Sequence, residues 1–142
     1  MILFCDTSAL VKLYVRESFS DELRELAAQA QALAVVRIAW AEAMAALARR
    51  VRECPADCAV AETVRARLHI DWPSFAVVEV TQAVVELAGD YAESFALRGY
   101  DSVQLAAARI VQDSATESVF FSCFDKRLEK AAKVLGLTVL NG

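Results

Sequence analysis

The chain has 142 residues, of which 57% are hydrophobic and 24% charged, with only 4 Gly and 2 Pro; this excludes a disordered or low-complexity chain and predicts a single domain over 1–142. No run of about 18 apolar residues offers a membrane-spanning helix. Fifteen Lys and Arg against 19 Asp and Glu give a net charge of −4, which argues against coating nucleic acid by bulk electrostatics but allows a local grip on it.

Residues 1–5 form an apolar run rich in strand formers, and Asp6-Thr7-Ser8 supplies helix-capping chemistry for a helix over 9–15. An amphipathic helix follows over 18–31, then a strand over 33–36 and an alanine-rich helix over 38–52 with Trp40, Met44, Leu47 and Val51 on its apolar stripe. Pro55 opens a helix to about residue 70, residues 75–80 read as a third strand, and a helix over 82–96 is closed by Gly99. Asp101-Ser102-Val103-Gln104 has the form of a capping box at the head of a helix to about residue 112. A strand over 119–122, a helix over 125–135 closed by Gly136 and a last strand over 138–140 complete the chain. Strands alternating with helices in this way predict an α/β fold with a central parallel sheet of about five short strands, flanked by helices on both faces.

The first residues, Met1-Ile2-Leu3-Phe4-Cys5-Asp6, contain no basic leader and no small-residue cleavage site, so a cytoplasmic location is expected. Cys5, Cys54, Cys58 and Cys123 are accordingly expected to be buried thiols, since a zinc site would need histidines or a second cysteine pair. His69 is the only histidine and reads as a partly buried residue at a helix end. Catalysis is therefore sought among the carboxylates.

In a parallel α/β sheet, ligands gather at the carboxyl ends of the strands, beside helix N-termini. Asp6 follows the first strand, Asp101 opens its helix and Asp125 follows the strand over 119–122. Taken singly, each reads as a helix cap. Glu42 stands near the start of its helix with Ile38, Ala39, Ala45 and Ala46 three and four residues away, where a solvated glutamate more often has a basic partner. If the four converge, their repulsion calls for a hard divalent cation, which could hold a phosphodiester and activate a water.

The run from Ile2 to Tyr14 around Asp6, Glu42 within Trp40-Ala41-Glu42-Ala43, Asp101 within the stretch from Leu97 to Ala108, and Asp125 within Phe124-Asp125-Lys126-Arg127-Leu128 together resemble the four acidic motifs of the PIN-domain family, in its order and over nearly the whole chain. Within that family they resemble the VapC toxins of bacterial toxin–antitoxin pairs. The resemblance implies a Mg²⁺- or Mn²⁺-dependent endoribonuclease, usually a homodimer, silenced by a cognate VapB-type antitoxin. Carried over by position, Asp6 and Asp101 would be the principal metal ligands. Glu42 would complete the acidic pocket and help orient or deprotonate the attacking water. Asp125 would contact a metal directly or through water, and Thr7 or Ser8 would hydrogen-bond the first carboxylate or a water on the metal. Two positions depart from the family pattern: Cys123 stands where many relatives have Ser or Thr, and Gln104 where many have His.

RNA would need basic contacts, for which Lys12, Lys126 and Arg127 lie near the expected acidic edge, with Arg37, Arg49, Arg50 and Arg52 on or before the third helix. Tyr14, Phe19 and Trp40 could belong to an antitoxin groove or dimer face, although core packing suits Trp40 better. A catalytically silent module of the same fold, retaining metal and antitoxin binding, is the alternative to an enzyme. A receiver-type phosphoacceptor would need an adjacent acidic pair after the first strand and an acceptor aspartate after the third. Here Asp6 stands alone and Val80 leads into Thr81-Gln82.

Overall fold

The computed structural model describes residues 1–140. Five strands, β1 (Ile2–Cys5), β2 (Ala32–Val36), β3 (Ala76–Val78), β4 (Val119–Ser122) and β5 (Thr138–Val139), form one parallel sheet in the order β3-β2-β1-β4-β5. Seven helices connect them: α1 (Thr7–Tyr14), α2 (Ser20–Gln29), α3 (Ala39–Glu53), α4 (Cys58–Asp71), α5 (Gln82–Phe95), α6 (Gly99–Ser114) and α7 (Lys126–Val134). The expected architecture is present, with β4 at the predicted bounds and most other ends within a few residues.

The central strand explains why the first residues are so apolar. β1 is covered on both faces, and Leu3, Phe4 and Cys5 are fully buried, as a strand in the middle of a parallel sheet requires. Phe4 pairs with Phe121 across the β1–β4 register, and their rings stack at 5.7 Å between centroids. The chain moves from β1 through β2 to β3 in one direction along the sheet, then returns through α5 and α6 to β4 and continues to β5. Right-handed crossovers place connections running in opposite directions on opposite faces. Accordingly α1 packs against α2 and α3, whereas α6 packs against α5 and α7. The direction reverses between β1 and β4, which opens a crevice beyond the carboxyl ends of those two strands.

Several local expectations are corrected by backbone geometry. The stretch starting at Pro55 is a 3-10 turn, Pro55–Asp57, before α4 begins. Helix α5 is not closed by Gly99 but ends at Ala96, which takes the left-handed conformation at φ 54°. Gly99 is instead the first residue of α6, whose N-cap is Arg98 without a side-chain bond. The capping box at Asp101 therefore does not form, because Asp101 already lies inside the first turn. Gly136 closes α7 as expected, at φ 82°, with its own N–H and that of Leu137 returned to the carbonyls of Lys133 and Ala132. Cys5 and Cys123 are buried, but Cys54 and Cys58 are exposed, because the hairpin between α3 and α4 lies at the surface. Among the described residues no helix is long and apolar enough to cross a membrane.

Candidate active site

Asp6 occupies the position where β1 hands over to α1. Its backbone N–H still donates to Ser122 O on β4, at 3.1 Å, so the sheet holds it one residue past the strand. Its side chain caps α1: Oδ1 accepts from Ala9 N at 2.9 Å and from the Ser8 hydroxyl at 2.7 Å. Capping and a functional role are thus compatible here, because both bonds fall on one oxygen and Oδ2 accepts no bond from the described residues. The residue is only 6% exposed. Burial raises its pKa from 3.8 to about 6 against the opposing bonds from Ala9 and Ser8, with further upward pushes from Asp101 and Glu42.

Asp101 projects from the first turn of α6, and none of the described residues donates a hydrogen bond to its carboxylate. Burial raises its pKa, Asp125 and Glu42 add to that, and the Arg98 guanidinium opposes it. Glu42, in the first turn of α3, is half-buried and accepts on Oε1 from the Thr7 hydroxyl at 2.8 Å and from Gln104 Nε2 at 3.1 Å. Gln104 Nε2 also donates to Thr7 Oγ1 at 3.1 Å. Asp125 caps α7 through Oδ1, which accepts from Leu128 N at 2.9 Å. Residues Asp6, Thr7, Ser8, Glu42, Arg98, Asp101, Gln104, Phe124 and Asp125 line one open cavity of about 320 Å³. All four predicted acids therefore meet in the crevice between β1 and β4, together with Thr7 and Ser8.

The donor set fits a hard divalent cation. Its chemistry is oxygen-only, Asp6 and Asp101 each keep a carboxylate oxygen free of protein donors, and burial among like charges makes both costly to ionise without a counter-charge. Among the described residues, no three His, Cys, Asp or Glu side chains stand close enough to chelate one ion together.

The basic candidates separate. Lys126 and Arg127 line a second cavity, of about 310 Å³, which shares Arg98, Asp101 and Asp125 with the acidic one. Lys126 has no ion pair among the described residues, and Arg127 donates from Nη1 to Ala96 O at 3.1 Å. Lys12 does not line the acidic cavity; it faces Glu17 at 3.6 Å and the Phe124 ring at 4.8 Å. Arg37, Arg49 and Arg50 are held by Glu79, Glu53 and the pair Glu17 and Asp57 respectively. Arg98 was not among the sequence candidates, yet it lies at the junction of both cavities. Its signal was its position three residues before Asp101, at the N-cap of α6.

The two departures from the family pattern keep the carboxylates in place. Cys123 is 2% exposed and its thiol approaches Asp125 O at 3.8 Å, so it braces the backbone rather than the carboxylate. Burial, reinforced by the Asp6 charge, pushes that thiol far above its ordinary range and keeps it neutral. Gln104 is 2% exposed and bonds directly to Glu42 and Thr7.

A larger apolar cavity, about 790 Å³, lies beside Ile38, Trp40, His69, Trp72 and Tyr100. It has no carboxylate and cannot supply the chemistry. Trp40 is half-buried and packed against the core, as expected, with one side at the cavity wall edge-on to His69 and Trp72, and His69 is exposed. Phe19 is also exposed, stacked on Phe124 at 5.9 Å, while the Tyr14 hydroxyl donates to Asp71 at 2.7 Å.

Comparison with known proteins agrees with this geometry. The PIN domain model matches residues 3–134. Ribonuclease VapC49 of Mycobacterium tuberculosis is 33% identical over 142 residues, covering 97% of this chain and 94% of that protein. Ribonuclease VapC46 of the same organism is 33% identical over 138 residues, covering 97% and 95%. Among solved structures, VapC20 of Mycobacterium tuberculosis, a sarcin-ricin loop cleaving toxin, superposes with a TM-score of 0.66 at 17% identity, over 91% of this chain and 94% of that one. VapBC2 from Rickettsia felis, bound to a DNA fragment from its promoter, superposes with a TM-score of 0.63 at 14% identity, over 98% and 97%. The motif order, the sheet and the match along nearly the whole length converge: the chain belongs to the PIN-domain family and, within it, to the VapC group.

Proposed function

We propose that this chain is a divalent-metal-dependent endoribonuclease, the toxin of a type II toxin–antitoxin pair, working as a single domain in the cytoplasm. The observation that carries the reading is the meeting of Asp6, Glu42, Asp101 and Asp125 in one cavity at the β1–β4 crevice. Asp6 and Asp101 are the carboxylates that would hold Mg²⁺ or Mn²⁺, with Asp125 and Glu42 completing the pocket. The bound ion supplies Lewis acidity and positive charge toward a phosphodiester.

The chain's own groups do the rest. Ser8 and the α1 N-terminus fix Asp6 through one oxygen and leave the other toward the cavity. Thr7 and Gln104 fix Glu42 in the same way, so its remaining oxygen can accept a proton from the attacking water. Arg98 and Lys126, with Arg127 beside them, offer phosphate contacts along the adjoining cavity, and Lys12 is a secondary contact because Glu17 already engages it. The partners assigned are an RNA substrate, a cognate VapB-type antitoxin and a second copy of the chain. The relatives named as VapC ribonucleases and the toxin–antitoxin assembly among the structural neighbours support that assignment.

The test is incubation of the purified protein with end-labelled RNA in Mg²⁺, Mn²⁺ or EDTA. Cleavage with either cation and intact RNA in EDTA is expected. Equal cleavage in EDTA, or intact RNA under every condition, would contradict the reading.

A further inference from the structure

Glu42, Thr7 and Gln104 form a closed hydrogen-bond triangle in which the direction of every bond is fixed by chemistry. An ionised carboxylate can only accept, so the Thr7 hydroxyl must donate to Glu42 Oε1, as the 2.8 Å contact shows. Thr7 Oγ1 has then spent its proton and can only accept from the third member, and Glu42 Oε1 also needs a donor from that side. Only the carboxamide NH₂ of Gln104 meets both demands: Nε2 lies 3.1 Å from each acceptor, and because the two acceptors are 2.8 Å apart, one N–H directed between them serves both. The amide orientation therefore follows from its neighbours.

The same orientation turns Gln104 Oε1 away, and that atom is buried without any hydrogen-bond partner. A buried acceptor without a donor works against folding. An apolar side chain of similar length would avoid this cost. The unpartnered acceptor offsets part of what the donated bonds contribute, so stability alone favours glutamine only weakly, whereas the orientation of Glu42 depends on those donors directly, and such local conflicts between stability and geometry are expected beside reactive groups.

We propose that Gln104 is a positioning residue that sets the working geometry of Glu42. It pins Oε1 jointly with Thr7, so that Oε2, which has no protein donor among the described residues, is the oxygen presented to the cavity. The inference rests on the nuclease reading for its effect on turnover, but the triangle itself does not.

The experiment compares wild type with Gln104→Met, Gln104→His and Gln104→Glu for thermal stability, RNA affinity and single-turnover cleavage in Mg²⁺. Methionine keeps the length and removes the donors. It is expected to leave the melting temperature within a few degrees of wild type and RNA affinity within about twofold, because the lost bonds and the removed unpaired acceptor oppose each other, while the cleavage rate falls about 10- to 100-fold, the range typical of lost orienting contacts. Histidine, which keeps a ring N–H donor, should recover part of the rate. Glutamate, isosteric but repelling Glu42, should be at least as slow as methionine. Wild-type turnover in a folded Gln104→Met protein overturns the proposal. So does equal loss in Gln104→His and Gln104→Met.

A readout free of catalysis keeps the two readings apart. The side-chain NH₂ resonances of Gln104 should exchange slowly with water and shift in Thr7→Val; rapid exchange and no shift overturn the triangle. If wild type cleaves no RNA while these resonances behave as expected, the nuclease reading falls and the triangle stands.

Discussion

Asp6 carries two demands on one side chain, and its pKa records the tension between them. As a cap, it accepts bonds that favour the anion, but burial outweighs them and raises the pKa from 3.8 to about 6. A carboxyl protonated more readily in the folded chain than in the unfolded one takes up a proton on folding between those two values. Stability attributable to Asp6 is therefore greatest below about pH 4, falls as the pH rises through the interval, and stays low above about pH 6. The shift corresponds to roughly 3 kcal/mol as an order of magnitude. Asn at this position keeps an oxygen for Ala9 N and is itself a good cap, so it removes the charge without removing the cap. Denaturant unfolding in EDTA from pH 4 to 7.5 should show Asp6→Asn overtaking wild type as the pH rises, by about 1–3 kcal/mol at pH 7. A wild-type protein that gains stability relative to the variant over that range would contradict the assignment.

At the level of elements, the loop between α5 and α6 shows how local signals mislead and why the site survives. Gly99 read as a helix terminator, yet the turn is made at Ala96 in the left-handed region, without the freedom glycine has there. This shifts the start of α6 two residues upstream of Asp101 and frees its carboxylate from capping. Ala96→Gly should accordingly stabilise the fold by about 0.5–1 kcal/mol, read as a higher denaturation midpoint, with RNA cleavage unchanged. Strands and most helices were legible because hydrophobic period and capping are local properties, as Val119 to Ser122 and the Asp125 cap illustrate. What was not legible depends on partners far along the chain. Arg37 was a candidate for phosphate, but Glu79 holds it at contacts of 2.6 and 2.9 Å from 42 residues away. The bond from Gln104 to Thr7 spans 97 residues, and nothing near either position announces it.

Across the whole molecule, the sheet order decides where the acids go. Because the chain reverses direction between β1 and β4, the residues just past those strands, Asp6 and Asp125, face one crevice, and the first turns of α3 and α6 bring Glu42 and Asp101 to it. A net charge of −4 is compatible with holding RNA because much of the local negative charge is set where a cation would offset it, with Arg98 and Lys126 on the adjoining wall. The identity of the four acids was legible from their motifs; their convergence is a property of topology.

The most direct test of this account is single-turnover cleavage of labelled RNA in Mg²⁺ by wild type and Asp101→Asn, with folding of both verified by their unfolding transitions. Asp101 caps nothing and bonds to none of the described residues, so the substitution should leave the fold intact and lower the cleavage rate by about 100-fold or more. A folded Asp101→Asn protein that cleaves RNA at the wild-type rate would show that the chemistry does not occur in this cavity.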